Sequence, residues 1–366
     1  MRRPRSVSPR RTRTTARVLA ICLVAGLTSA AHSVGAHAET HVRCDTASLN
    51  EAIAAANAAG GGTITLASRC VYNFTTPFSG EDATPAITVR LNFVGNGAVL
   101  RRDPSSTARF RLLDVGVGGT ATLSRVTVEN GNVTGDGGGI LVQSGGTLNA
   151  KSVTVRNNTA GGDGGGIDDQ GTLRLTDSRI RDNTAGGFGG GLAIQPRETT
   201  TAGGTATVEG STLYGNTANS FAGGGLFNDG GTVTVSNSSV TGNHVNAGDG
   251  AGLWNDSQMT VNDSTIADNV ARDHGGGATN ADGGRLTFNG STVRNNSAGV
   301  QAGGIYNVNS GSILVLNVSR VTRNKAGGAP GGVFNGAGST VVNKQSVIRE
   351  NTPTNCSPSP VPGCVN

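Results

Sequence analysis

A glycine-and-asparagine unit returns about every 27 residues along most of this chain, and that period constrains the fold before any local reading does. Each unit runs apolar-x-x-Asn, a small-residue turn, a glycine run closed by an aliphatic residue, then a short β-like run. The asparagine recurs at Asn158, Asn183, Asn216, Asn243, Asn269, Asn296, Asn324 and Asn351. The residue closing the glycine run recurs at Ile140, Ile167, Leu192, Leu226, Leu253, Ala278, Ile305 and Val333. A unit this short, with no helix-length apolar stripe, cannot bury its own apolar face. It does hold β-runs such as Thr232–Val235 and Arg285–Phe288 between Gly, Asn and Asp turn signals. Stacked as coils of a parallel β-helix, such runs pair with those above and below at about 4.8 Å, and their inward residues form one column. One spacing departs from the period. Asn183 to Asn216 is 33 residues, and the excess around Gln195–Gly204 reads as a loop pushed out from one face.

The asparagines have a physical reason to recur. A tight turn needs a residue that tolerates a left-handed backbone and bonds through its side chain, and Asn does both. In successive coils their amides can bond one another along the stack. A second column stands at Asn228, Asn255, Asn280, Asn307 and Asn335. Both columns read as structural, because buried polar groups must be satisfied. The Asn-x-Ser/Thr triplets follow from the repeat and carry little weight as glycosylation sites.

These units resemble those of secreted right-handed parallel β-helix proteins of the pectin-lyase-like superfamily. Gly224-Gly-Leu-Phe-Asn228 and Gly303-Gly-Ile-Tyr-Asn307 are also similar to the repeats of polymorphic outer-membrane proteins. The resemblance covers roughly residues 62–351 and implies an all-β solenoid, a right-handed parallel β-helix with an N-terminal capping α-helix. The superfamily contains polysaccharide lyases, hydrolases and adhesins, so fold alone does not choose an activity.

Residues 1–38 read as a secretory signal peptide. Seven arginines precede the apolar run Val18–Leu27, which is too short to span a bilayer, and Ala36-His-Ala38 fits a small-x-small cleavage site. This predicts an extracellular protein without a membrane span. Removing those arginines changes the formal charge from 29 − 24 = +5 to 22 − 24 = −2, so the basic balance does not argue for nucleic acid. Four cysteines then remain, in two terminal pairs: Cys44 with Cys70 and Cys356 with Cys364. An exported chain with this count predicts a disulfide at each end. Residues 39–61 form a cap region, in which Ser48-Leu-Asn-Glu51 reads as a capping box and Leu49–Ala59 as an amphipathic helix over the first coil. Residues 352–366 form a Pro- and Cys-rich tail. A monomer is expected.

Two sets of residues carry chemistry. The position before each glycine run forms the column Asp136, Asp163, Phe188, Ala222, Asp249, His274, Gln301 and Ala329. Asp136 and Asp163 on adjacent coils, with Asp168 and Asp169 close by, form a carboxylate group able to bind calcium or to divide acid and base roles. Asp163, Asp168 and Asp169 are the catalytic candidates, and Asp136 and Asp163 the metal candidates; no other cofactor is expected. The plainer reading is that Asp fills a turn slot. Polygalacturonase-like enzymes order their motifs differently: here Arg179-Ile-Arg181 precedes His274-Gly275, and Asn183-Thr184 leads to Ala185. The second set follows the aliphatic position: Phe227, Trp254, Tyr306 and Phe334. Strand alternation points Leu226 and Asn228 inward and Phe227 outward. Four of the chain's 13 aromatic residues in one column suggest a ladder that stacks on sugar rings. The expectation is a surface, adhesive or glycan-binding protein with a polysaccharide or cell-surface glycan as partner. The alternative is a polysaccharide lyase or glycoside hydrolase acting on an acidic polysaccharide.

Overall fold

A computed structural model of the chain describes residues 39–196, 204–358 and 360–366. The expected signal segment and most of the Gln195–Gly204 insertion lie outside the described residues. One coil shows the plan of the rest. Strand Thr232–Ser236 is followed by Ser239–Thr241, then His244–Val245, then Leu253–Asn255, and Gln258–Asn262 begins the next coil. Consecutive coils pair in parallel and in register: Val233 meets Met259, Val240 meets Ile266, and Leu253 meets Ala278. The first two strands of the coil belong to one 21-stranded sheet, the third to an eight-stranded sheet, and the fourth to a ten-stranded sheet. We call the last the short-strand wall.

Alternation supplies the core. Val233, Val235, Val240 and Leu253 point into the bore and are at most 1% exposed, as are Leu286, Phe288, Val293 and Ile305 in a later coil. Each such side chain contributes about 1.5–3 kcal/mol on burial, and the bore continues through the described coils as one apolar column.

The asparagines of the first column are buried at the corner after the second strand. Asn269 Nδ2 donates to Asn296 Oδ1 at 2.9 Å and to the Val240 carbonyl at 3.0 Å. Its Oδ1 accepts from both the backbone N–H and the Nδ2 of Asn243, each at 2.9 Å. The pattern repeats from Asn158 to Asn351, where Asn355 Oδ1 receives the last amide. The left-handed backbone belongs to the residue before each asparagine: Asn157, Asp182, Gly215, Gly242, Asp268, Asn295, Arg323 and Glu350 all have φ between 55° and 63°. The sequence reading placed both duties on one residue. The structure divides them, because a side chain bonding along the stack needs its own backbone to remain in the ladder.

A serine ladder, absent from the sequence reading, joins the first and second strands. Ser211, Ser238, Ser264 and Ser291 each donate a backbone N–H to the hydroxyl of the serine one coil further on, at 3.0–3.1 Å. In the short-strand wall the second asparagine column links Nδ2 to Oδ1 from Asn228 through Asn335 at 2.7–3.1 Å. Asn228 Oδ1 has no partner, because Ile194 occupies the preceding coil.

Helix α1 spans Thr46–Ala59 and buries Leu49, Ala52 and Ile53. Its N-cap is Asp45, not Ser48. The Asp45 carboxylate accepts the Ser48 N–H at 2.7 Å, so the helix begins three residues before the predicted start. Gly60 ends it at φ 82°. Asn50 and Asn57 on α1 donate to the Ala83 and Ala86 carbonyls of the following segment. Cys44–Cys70 and Cys356–Cys364 are bonded. The tail also extends the wall, since Cys356–Pro358 pairs in parallel with Val333–Asn335. Among the described residues no helix is long and apolar enough to cross a membrane.

Asn269→Ala removes a four-bond node from a fully buried ladder and orphans its neighbours. It is expected to cost on the order of 1–3 kcal/mol more than Asp249→Ala, which removes a half-buried carboxylate. Urea midpoints of the two variants measure the difference, and equal midpoints would refute the ladder's energetic role.

Candidate functional site

The short-strand wall presents one outward residue per coil between two inward ones. In register this outward column reads Asp114, Leu141, Asp168, Ala193, Phe227, Trp254, Thr279, Tyr306, Phe334 and Ser357. Asp168 and the four aromatic candidates therefore share a single column. The signal was present in the sequence, since Asp168 follows Ile167 as Phe227 follows Leu226.

The pre-glycine column lies beside it. Glycines 164, 189, 223, 250 and 275 donate to the carbonyls of Phe188, Ala222, Asp249, His274 and Gln301, which sets that register. These glycines have φ of 61–69° and pass directly over the outward column. A Cβ on Gly164 would stand 2.7 Å from Asp168 Cβ, and one on Gly223 2.6 Å from Phe227 Cβ. This close approach covers the column.

The carboxylates divide into different roles. Asp136 Oδ1 accepts the Asp163 N–H at 2.8 Å, Asp163 Oδ1 the Phe188 N–H at 2.7 Å, and Asp249 Oδ1 the His274 N–H at 2.8 Å. Each thus satisfies the backbone of the next coil, as the turn reading expects. Asp168 is fully buried between Gln170 Nε2 at 2.9 Å and Gln195 Nε2 at 2.8 Å. Burial, reinforced by Asp136, raises its pKa well above the ordinary value. Asp169 points the opposite way, into the bore. Its Oδ1 accepts the Gly171 N–H at 3.1 Å, its Oδ2 has no partner, and burial pushes its pKa up to about 7. The structure therefore brings Asp163 and Asp168 together and separates Asp169 from them, because adjacent strand residues face opposite sides. Among the described residues no group of three or more His, Cys, Asp or Glu is arranged to hold a metal ion.

The aromatic rings form two stacks. Phe188 stacks on Phe227 at 4.4 Å and on Phe221 at 5.2 Å, and Phe227 stacks on Trp254 at 4.6 Å. Thr279 interrupts the column. Beyond it His274 stacks on Tyr306 at 4.5 Å, and Tyr306 meets Phe334 at 4.7 Å. These separations follow from the strand spacing, so rings at one register stack without further adjustment. Phe227 is 3% exposed, which corrects its place among the ligand-facing candidates: Phe188 and Trp254 sandwich it. Trp254, Tyr306 and Phe334 are half-buried. Phe221, which the sequence reading missed, is 64% exposed. His274 Nδ1 lies 3.0 Å from Asp249 Oδ1, so the half-buried Asp249 holds both the backbone and the ring of the histidine one coil on.

No family model matches the chain, and no curated protein matches it. Among solved structures it is similar to the A-module of the Azotobacter vinelandii mannuronan C-5 epimerase AlgE6, at 16% identity and a TM-score of 0.36, over 87% of this chain and 98% of that one. The in-register parallel coils define the chain itself as a parallel β-helix repeat protein.

The raised carboxyls set a pH dependence. Asp169 binds its proton up to about pH 7 when folded but only to about pH 4 when unfolded. Its contribution is complete below the lower value and is lost as pH rises through the upper one. Asp114, raised to about 6, acts with the same sign. The urea midpoint is expected to fall between pH 5 and 8, and Asp169→Asn to flatten that fall and exceed the parent at pH 8. A parallel pH profile for the variant would show that Asp169 does not titrate as described.

Proposed function

We propose that this chain is a secreted surface or adhesive protein that binds glycans along the outward face of its short-strand wall. The observation that carries this reading is the pair of aromatic stacks, with Phe221, Trp254, Tyr306 and Phe334 partly open to solvent on rigid strands. Rings repeated with the coils suit a repeating polymer, which meets them at several points at once. The reading includes right-handed winding, α1 as the cap of the first coil, cleavage near Ala38 and extracellular action as a monomer. It assigns residues 1–38 to the signal peptide, 39–61 to the cap, 62–351 to the β-helix and 352–366 to the tail. The two disulfides accord with export.

A second reading, a polysaccharide lyase or hydrolase, is favoured by one arrangement. Asp249 orients His274, whose ring stacks on the Tyr306 phenol, and such a histidine suits proton transfer. In that case Asp163, Asp168 and His274 are the residues to substitute.

Screening the mature chain on a glycan array, with reducing-end and unsaturated-product assays alongside, separates the two readings. For the binding reading, Trp254→Ala is expected to weaken the best ligand by roughly 1–2 kcal/mol. Cleavage abolished by His274→Ala but retained in Trp254→Ala would instead establish the enzyme.

A further inference from the structure

The corner between the first and second strands of the 21-stranded sheet changes character along the stack. Its left-handed residue is Arg69, Asn96, Arg125 and Ser152 in the N-terminal coils, and the first acid there is Asp177, all with φ between 49° and 56°. At this corner the ladder carries a bulge. Val94 meets Ser124 and Ala98 meets Val126, so Gly95, Asn96 and Gly97 together face the one residue Arg125. The bulge is tight, since a Cβ on Gly95 would stand 2.4 Å from the Arg125 carbonyl oxygen. The Arg125 side chain reaches back over it, and its Nη2 donates to Asn96 Oδ1 at 3.2 Å. Beside the bulge lies an open cleft of about 360 Å³, lined by Val94, Ser124, Arg125, Lys151 and Ser152. Ser124 and Lys151 are register partners on adjacent coils, about 4.8 Å apart. Arg69, Arg125 and Lys151 are exposed, and among the described residues none of the three forms an ion pair.

We infer that this cleft binds sulfated glycan chains, with the Arg125 guanidinium, the Lys151 ammonium and the Ser152 hydroxyl meeting one sulfate ester. The site lies on a different sheet from the aromatic wall and rests on the glycan-binding reading only for the sugar that carries the sulfate. Charge complementarity selects an anion, because two unpaired cations from adjacent coils line one cleft. The donor set selects the kind of anion. A carboxylate is met by a single guanidinium through two parallel hydrogen bonds, whereas a sulfate ester presents three oxygens and takes donors from several directions. Three donor groups of different reach, carried on two coils, fit the second. Arg69 stands two coils before Arg125 on the same corner, in place for a further sulfate on a chain running along the stack. A nucleic acid would also bring oxyanions, but no aromatic ring lines the cleft for its bases to stack on.

The test uses the mature chain and three probes in titration calorimetry at low and high salt: a heparin oligosaccharide, its desulfated counterpart, which keeps the carboxylates, and a single-stranded oligonucleotide of similar charge. The sulfated oligomer is expected to bind best and to weaken with salt, and the desulfated one to bind about tenfold more weakly. Arg125→Gly and Lys151→Ala are each expected to reduce affinity for the sulfated oligomer about three- to tenfold. Glycine adopts the φ of 53° at position 125 freely, so Arg125→Gly removes the charge and keeps the corner. Arg320→Ala, which removes an exposed cation elsewhere on the same sheet, is expected to change affinity less than about twofold. Full binding by Arg125→Gly, or an equal loss in Arg320→Ala, would overturn the site. Equal affinity for the desulfated oligomer would overturn the sulfate assignment, and tighter binding of the oligonucleotide would replace the glycan with a nucleic acid. Trp254→Ala is expected to leave this binding unchanged, so the cleft and the aromatic wall can each fail without the other.

Discussion

The molecule depends on hydrogen bonds that run along the stack rather than around it. Strand pairing holds consecutive coils together but does not by itself fix where each chain turns. The corner asparagines do. Each amide bonds its counterpart in the next coil and a backbone carbonyl in the preceding one, buried from the surface. A slip of one residue would break these bonds and move every inward aliphatic to the outside, so the ladder specifies register as well as contributing stability. The serine ladder does the same at the other corner of the large sheet.

The functional face is a second consequence of that register. The ladders fix the coils, so any residue type at a given repeat position meets its own neighbour at about the strand spacing. Aromatic residues there become stacks, and a carboxylate such as Asp136 reaches the backbone N–H of its counterpart Asp163 one coil on. The glycines that follow the pre-glycine column bring it against the outward residues and decide which of these see solvent. Phe227 and Asp168 disappear under this cover, while Trp254 and Tyr306 remain partly open.

Much of this architecture was legible in the spacing. The repeat period, the two asparagine columns, the inward aliphatics and the terminal cysteine pairs all follow from residues that recur at one position. What escaped was local or combinatorial. The left-handed turn residue varies among Asn, Asp, Gly, Arg and Glu, because the ladder beside it imposes the conformation, so no residue type marks it. The serine ladder was hidden among many serines and threonines with no ladder role. Asp45 was overlooked as the N-cap because Ser48 and Glu51 offer a more familiar pattern, yet the extended Asp45 backbone places its carboxylate on the Ser48 N–H. The burial of Phe227 required knowing that Phe188, a residue of a different column, leans across to it.

The same separation explains how such a fold accommodates different ligands. Inward positions answer to the bore and corner positions to the ladders, and neither set can vary freely. Outward positions on the short-strand wall answer only to cover and to each other, and here they pass from Asp168 through Phe227 and Trp254 to Tyr306 without disturbing the inward residues on either side. Changing the ligand therefore requires changing a column and not the core. The chemistry of the face is to be sought in how acids and rings succeed one another along that column, from the buried Asp168 to the half-buried Trp254 and Tyr306.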